Sequence, residues 1–136
     1  TQWTREFDTS LRFREVADLD GDGTDELAVG TFDGDALAVD VRTGETDWRV
    51  PVSGDGAPVW SPVTADLGGD SPDVVTTSRD GTVTVLDGAG GDALATYERS
   101  VPVETHVTPV DLDGDGVDDL LVRYGDGRVV ALDYGD

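Results

Sequence analysis

The sequence predicts an all-β fold of β-propeller blades: three four-stranded antiparallel sheets, with the last blade split between the two termini. Three observations predict it. An acidic loop, Asp18-Leu-Asp-Gly-Asp-Gly-Thr-Asp-Glu26, returns as Asp111-Leu-Asp-Gly-Asp-Gly-Val-Asp-Asp119, and a weaker copy, Asp66-Leu-Gly-Gly-Asp-Ser-Pro-Asp73, lies between them. Asp-Gly pairs at Asp33, Asp80 and Asp126 are 47 and 46 residues apart, against 48 and 45 for the loop starts. The intervening runs are short, rich in Val, Thr and aromatics, and punctuated by Gly, Asp and Pro, with no apolar period of a helix. Four-stranded units repeating at about 40–50 residues bury their faces by stacking on one another, which is the propeller arrangement. A β-sandwich is the alternative, since its strands need not repeat.

The elements follow in order. Residues 1–7 read as an outer strand, because Trp3 stands where Trp48 and Tyr97 stand in the fourth strands of units one and two. The first blade occupies about 11–52 and the second about 58–100. In the second, strands at 59–65 and 73–78 flank the acidic loop, Arg79-Asp-Gly81 makes a tight turn, and 82–87 alternates Val with Thr. The third blade takes 104–133, has three strands of its own, and needs 1–7 as its fourth. All of 1–136 is then one propeller domain of three blades. Known propellers have about four to eight, so the expectation is either part of a longer propeller or a head-to-tail homodimer completing a six-bladed ring.

Charge excludes several function classes. The chain of 136 residues carries 30 acids against 9 cations, a formal net charge of −21. Such a field repels phosphate backbones and anionic lipid, so neither nucleic-acid binding nor membrane insertion is expected. There is no cysteine, hence no disulfide, thiolate site or cysteine nucleophile. Of the acids 24 are Asp, and every cation is Arg. The absence of Lys and the Asp surplus outside any motif resemble proteins of extreme halophiles, whose surfaces rely on salt to screen self-repulsion.

The acidic loops carry the only chemistry with specific spacing. Asp18, Asp20, Asp22 and Glu26 occupy positions 1, 3, 5 and 9, and Asp111, Asp113, Asp115 and Asp119 repeat them, with Gly23 and Gly116 at position 6. Alternate carboxylates of a tight loop point at one centre, and the glycine turns the chain so that the backbone carbonyl of Thr24 or Val117 joins them. The expected ion is Ca²⁺, which takes six to eight oxygens at about 2.3–2.6 Å. Position 12 is Val29 or Val122 in a strand, so neither loop is an EF-hand. The middle copy has Gly68 at position 3 and is expected to bind weakly or not at all.

The run Asp-Leu-Asp-Gly-Asp-Gly-x-Asp-(Asp/Glu)-Leu ahead of a strand resembles the FG-GAP/VCBS repeats of calcium-binding β-propellers, known from integrin-like heads and secreted microbial proteins. Ala38-Val-Asp-Val-Arg-Thr-Gly44-Glu-Thr-Asp-Trp48 is also similar to the tryptophan-docking motif of quinoprotein-type propellers, in which the Trp packs between adjacent blades. The resemblance implies an extracellular or cell-surface, non-catalytic module for adhesion, interaction or scaffolding, with a protein or glycan partner. The alternative is a fragment of a propeller enzyme, a quinoprotein-like dehydrogenase or polysaccharide lyase. Such an enzyme needs convergent groups at its centre, where the inner strands offer mainly Arg12, Arg14, Glu104 and His106.

Overall fold

The computed structural model describes residues 3–53, 56–68 and 72–132. Thr1, Gln2 and Asp133, expected in the third blade, Asp70 and Ser71 of the middle loop, and the Arg14 side chain lie outside the described residues.

Eleven strands form three antiparallel sheets, and no helix occurs among the described residues. Sheet one has the order β1 (Leu11–Ala17), β2 (Glu26–Thr31), β3 (Asp35–Asp40) and β4 (Thr46–Pro51). Sheet two repeats it with β5 (Val63–Ala65), β6 (Asp73–Thr77), β7 (Thr82–Leu86) and β8 (Ala93–Glu98). Sheet three holds β9 (Thr108–Val110), β10 (Asp119–Arg123) and β11 (Val129–Leu132), with β10 in the middle. Each acidic loop therefore joins the first strand of a sheet to the second, and each Asp-Gly pair turns the second into the third. Val59 and Val103 make isolated bridges to Ser78 and Tyr124, extending the inner edges of sheets two and three.

The period of two in each strand explains the stacking. In β2, Leu27 and Val29 face away from sheet two while Ala28 faces it; in β6, Val74 faces sheet one and Val75 faces sheet three. Leu19, Ala28, Ala36, Ala38, Trp48, Val52, Val59, Val74 and Leu86 make the buried layer between sheets one and two. Val63, Val75, Val83, Val85, Val103, Leu120, Val122 and Tyr124 make the layer between sheets two and three. A third cluster, Val29, Leu37 and Val39, lies on the opposite face of sheet one, under Phe7, Leu11 and Leu27. The inner strands β1, β5 and β9 touch in succession. The Glu15 carboxylate accepts from the Thr64 N–H at 2.6 Å and the Thr64 hydroxyl at 2.9 Å, tying the first inner strand to the second.

Residues 3–7, expected as the fourth strand of the third blade, form no ladder among the described residues. They lie on sheet one instead. The Trp3 indole donates to the Val41 carbonyl at 2.9 Å, and Gly44 packs beneath the ring. Trp48 repeats this one blade on: its indole donates to the Gly88 carbonyl at 2.9 Å over Gly91. Gly44 and Gly91 have φ of +78° each, and a Cβ there would lie 2.6 Å from the ring. Both the turn and the contact therefore require glycine.

Register corrects one equivalence. Trp48 pairs with Ala38, and in sheet two the partner of the corresponding Val85 is Ala95, not Tyr97. The two turns have equal length, from Asp40 to Glu45 and from Asp87 to Asp92, closed by the same backbone bonds. Tyr97 lies one pair further along the same face, partly buried against the second layer. The tryptophan-docking motif is therefore absent from unit two because its Trp position holds Ala.

Candidate metal centre

The first loop closes on its own backbone before any ion is considered. Asp18 accepts from the Gly21 N–H at 2.9 Å through Oδ1 and from the Gly23 N–H at 2.9 Å through Oδ2. Asp20 accepts from the Asp22 N–H at 3.1 Å, and Asp22 from the Thr24 N–H at 2.8 Å. The third loop is built alike: Asp111 accepts from Gly114 and Gly116 at 2.8 and 3.0 Å, Asp113 from Asp115, and Asp115 from Val117. Gly23 and Gly116 have φ of +86° and +84° with open space around them, so the left-handed turn alone calls for glycine.

These turns bring carboxylates together. Asp18, Asp20, Asp22 and Glu26 each place one oxygen within 4.8 Å of the others, as do Asp111, Asp113 and Asp115. Asp119, expected as the fourth acid of the third loop, stands outside that group. It is buried, its Oδ2 accepts from the Leu112 N–H at 3.1 Å, and its side chain is a methylene shorter than that of Glu26. Thr24 and Val117 follow the glycines and donate their N–H groups into the loops, as placed above.

Glu26 distinguishes the first site. It is 2% exposed at the start of β2, and its Oε1 accepts from the Leu19 N–H at 2.9 Å. Its Oε2 is buried with no hydrogen-bond partner. Burial pushes its pKa from 4.5 up to about 7, against the Leu19 N–H, and the charges of Asp20, Asp22 and Asp47 push the same way. Asp20 is raised as well, by lost hydration first and by Asp22 and Asp18 after it. Asp113 is raised although the Asp115 N–H favours its charge, because lost hydration and the Asp115 and Asp119 carboxylates outweigh that bond. Asp111 is lowered, chiefly by the Gly116 N–H. A buried carboxylate with an orphaned oxygen, grouped with three further carboxylates of which Asp20 is also disfavoured as an anion, is a donor set suited to a hard cation.

The middle loop contributes no such group among the described residues. Asp66 is engaged elsewhere: its N–H donates to Asp118 Oδ2 at 2.9 Å and its carbonyl accepts from the Asp118 N–H at 2.7 Å. The degraded loop is thus clasped to the third loop across the blade boundary. Sequence reasoning missed Asp118, which follows the metal pattern at an unassigned position; its only signal is one extra acid beside Asp119.

Groups near the inner strands are also engaged. The Arg12 guanidinium lies over the Phe32 ring at 4.4 Å and the Trp60 ring at 4.1 Å, bridging blades one and two. The Trp60 indole donates to the Val103 carbonyl at 2.7 Å. His106 lies beside the Thr105 hydroxyl at 3.2 Å, in a shallow hollow with Thr108, Leu121, Arg123 and Val129. Glu104 packs against Gly125 at the next turn.

No protein-family model matches the chain, and no curated protein does. Among solved structures, BamB from Moraxella catarrhalis shares 30% identity over 84% of this chain, with a TM-score of 0.53. BBS1N, crystallised in complex with ARL6DN, shares 16% identity over 78% of this chain, with a TM-score of 0.61. The chain spans about a third of each, 31% and 33% of their lengths. Both are β-propeller-type proteins. Sheets stacked in sequence order, inner strands side by side and Trp-on-Gly contacts between blades define the chain as a β-propeller-type array. Its first and third loops carry acidic clusters that can hold a metal ion.

Proposed function

We propose that this chain is a non-catalytic, calcium-stiffened β-propeller module of a secreted or cell-surface protein. In this reading it is adapted to a salt-rich medium and acts as a rigid scaffold or presents its loops to a protein or glycan partner. The ligands of the first ion are Asp18, Asp20, Asp22, Glu26 and the Thr24 carbonyl. Those of the second are Asp111, Asp113, Asp115 and the Val117 carbonyl, with Asp119 reaching it only if the Leu112 contact loosens. Asp118 leaves that second ion adjoining the clasp to Asp66, so binding would stiffen the boundary between blades two and three. The FG-GAP/VCBS likeness of the loops agrees with this assignment.

One observation carries the proposal: Glu26, whose buried Oε2 has no hydrogen-bond partner, places a carboxylate oxygen within 4.8 Å of those of Asp18, Asp20 and Asp22. A calcium ion supplies the missing partner and removes the mutual repulsion. Mg²⁺ dehydrates reluctantly and keeps several waters, so it suits a loop this rich in carboxylates less well. Thermal unfolding followed by tryptophan fluorescence, at fixed ionic strength, tests the reading. Chelator should lower the Tm, Ca²⁺ should restore it, and an equal concentration of Mg²⁺ should restore less. A Tm indifferent to chelator and to Ca²⁺ overturns it.

A further inference from the structure

A hollow of about 440 Å³ lies where the end of β4 passes the outer strands of sheet two. Its lining includes Val52 and Ser53 on one side and Thr82, Thr84, Thr96 and Glu98 on the other. That size falls within the range of small-ligand sites, about 300–1,000 Å³. The walls are fixed from within the chain. The Val52 and Ser53 N–H groups donate to the Gly34 carbonyl at 2.9 and 3.2 Å, and the Ser53 hydroxyl accepts from the Ala57 N–H at 2.6 Å. In the ladder of β7 with β8, Thr84 stands opposite Thr96 and Thr82 opposite Glu98. Both blades have all four strands, so the hollow does not depend on either end of the array.

Sheet two departs from its neighbours at this face. One row across it, from β6 through β7 to β8, is Thr76, Thr84 and Thr96. The same row is Val29, Leu37 and Arg49 in sheet one, and Val122 with Val130 in sheet three. In sheet one Arg49 also donates to Asp35 at 2.8 Å, and the positions of that pair hold Thr96 and Thr82 in sheet two. An apolar row and an ion pair are thus replaced by hydroxyls. Thr84 is buried, yet among the described residues no hydrogen bond uses the Thr82, Thr84 or Thr96 hydroxyl. For packing alone an apolar side chain would serve better, as Leu37 does, because a buried hydroxyl without a partner costs stability.

We propose that this hollow between blades one and two is a subsite for a neutral sugar residue of a glycan. A sugar hydroxyl both donates and accepts, as a threonine hydroxyl does, and the exposed Glu98 carboxylate accepts from further hydroxyls at the rim. An apolar ligand would leave Thr84 and Thr96 unpaired. An anionic one would meet Glu98, Asp80 beyond it and the chain's net charge of −21. A second hollow adjoins the first, shares Thr82 and Glu98 and adds Ser100, so the next ring of a glycan can follow along the rim. As a glycan site it rests on the partner half of the proposed function, and it needs no ion in either acidic loop.

Amide NMR of the isotope-labelled chain at fixed high salt with Ca²⁺ locates the ligand. Cellotriose, maltotriose and triacetylchitotriose are the neutral probes, trigalacturonate the anionic one and trilysine the cationic one. At least one neutral trisaccharide should give saturable shifts at Thr82, Thr84, Thr96 and Glu98, stronger than either charged probe gives. Replacing Thr84 and Thr96 together by Val restores an apolar row and should weaken that binding by about tenfold or more. The same double variant should keep or raise the Tm, because the hydroxyls it removes hold nothing inside the protein. Glu98→Gln, on the exposed rim, should weaken binding with the Tm unchanged. The sugar site is overturned if no neutral probe saturates at these amides or if trilysine shifts them more strongly. It is overturned equally if the double variant binds as the wild type does, or loses binding only together with its Tm. Chelator tests the ion reading by itself: a Tm indifferent to Ca²⁺ removes the stiffened module and leaves the sugar shifts standing.

Discussion

Replacing Glu26 by Gln is expected to stabilise the ion-free protein and to lose that advantage when calcium is added. The amide keeps an oxygen for the Leu19 N–H and removes the charge that has no partner at Oε2. The shift of Glu26 from 4.5 to about 7 sets the scale. At about 1.4 kcal/mol per unit it corresponds to a ceiling of about 3 kcal/mol held against the ionised form in the ion-free protein. Asp20 and Asp22 stand in solvent, where water and salt screen them, so about 1–2 kcal/mol should be observed. E26Q should thus exceed the wild type by about 1–2 kcal/mol in chelator at about pH 8. With Ca²⁺ at a hundred times its dissociation constant, the wild type gains about 2.7 kcal/mol at this site. A variant binding about tenfold more weakly gains about 1.4 kcal/mol less, which cancels or reverses its advantage. Urea unfolding at constant ionic strength, with and without Ca²⁺, measures both limbs. If E26Q is the weaker protein in chelator, the orphaned charge is not a source of strain; if it keeps the full calcium gain, Glu26 is not a ligand.

The remaining predictions bear on the same loops and on the blade contacts. In chelator, stability should fall as pH rises through about 7, because the folded pKa of Glu26 lies above its unfolded 4.5 and folding takes up a proton between them. Ca²⁺ should flatten that fall, and a Tm that rises over the same interval in chelator would contradict the assignment. Native mass spectrometry should count two bound calcium ions per chain, one after Asp111→Asn; a third ion would show that the middle loop binds after all. Gly91→Ala should be more damaging than Gly23→Ala, although both glycines are left-handed, at +78° and +86°. The backbone cost of about 1–2 kcal/mol is common to both. Displacing the buried Trp48 ring, 2.6 Å from the new methyl, should add about 2 kcal/mol. Equal losses in chemical unfolding would show that this Trp-on-Gly contact does not hold the blades together.

Much of the fold was legible because it is periodic. Loop starts and Asp-Gly turns recur where each sheet repeats its first two reversals, so the first three strands of every unit and their order follow from counting, whereas the twelfth strand expected at residues 1–7 has no ladder among the described residues. The Trp–Gly contacts were only half legible. The motif around Trp48 marked a docking residue, but its receiving glycine lies in the next unit, and nothing local links positions 48 and 91. Tyr97 was matched to Trp48 by residue type, whereas the ladder places Ala95 there. Side-chain character is a poor guide to register when two aromatic-tolerant positions on one face are two residues apart.

The candidate site divides in the same way. Asp18, Asp20, Asp22 and their counterparts in the third loop converge because local turn geometry makes them converge, and local geometry is written in spacing and glycine. The fourth ligand is not local. Glu26 and Asp119 hold the same position in their motifs, yet only Glu26 reaches its cluster, since one methylene decides whether a carboxylate fixed at a strand end spans the gap. Nor could spacing show that the middle loop is held by Asp118 across a blade boundary. The sequence by itself determined the all-β class, the three-unit period and two acid-lined turns, each of which depends on residues a few positions apart. Tertiary structure decided which acid loses its water, which loop is clasped by its neighbour and which aromatic meets which glycine, because burial and inter-blade contact depend on residues about one repeat away.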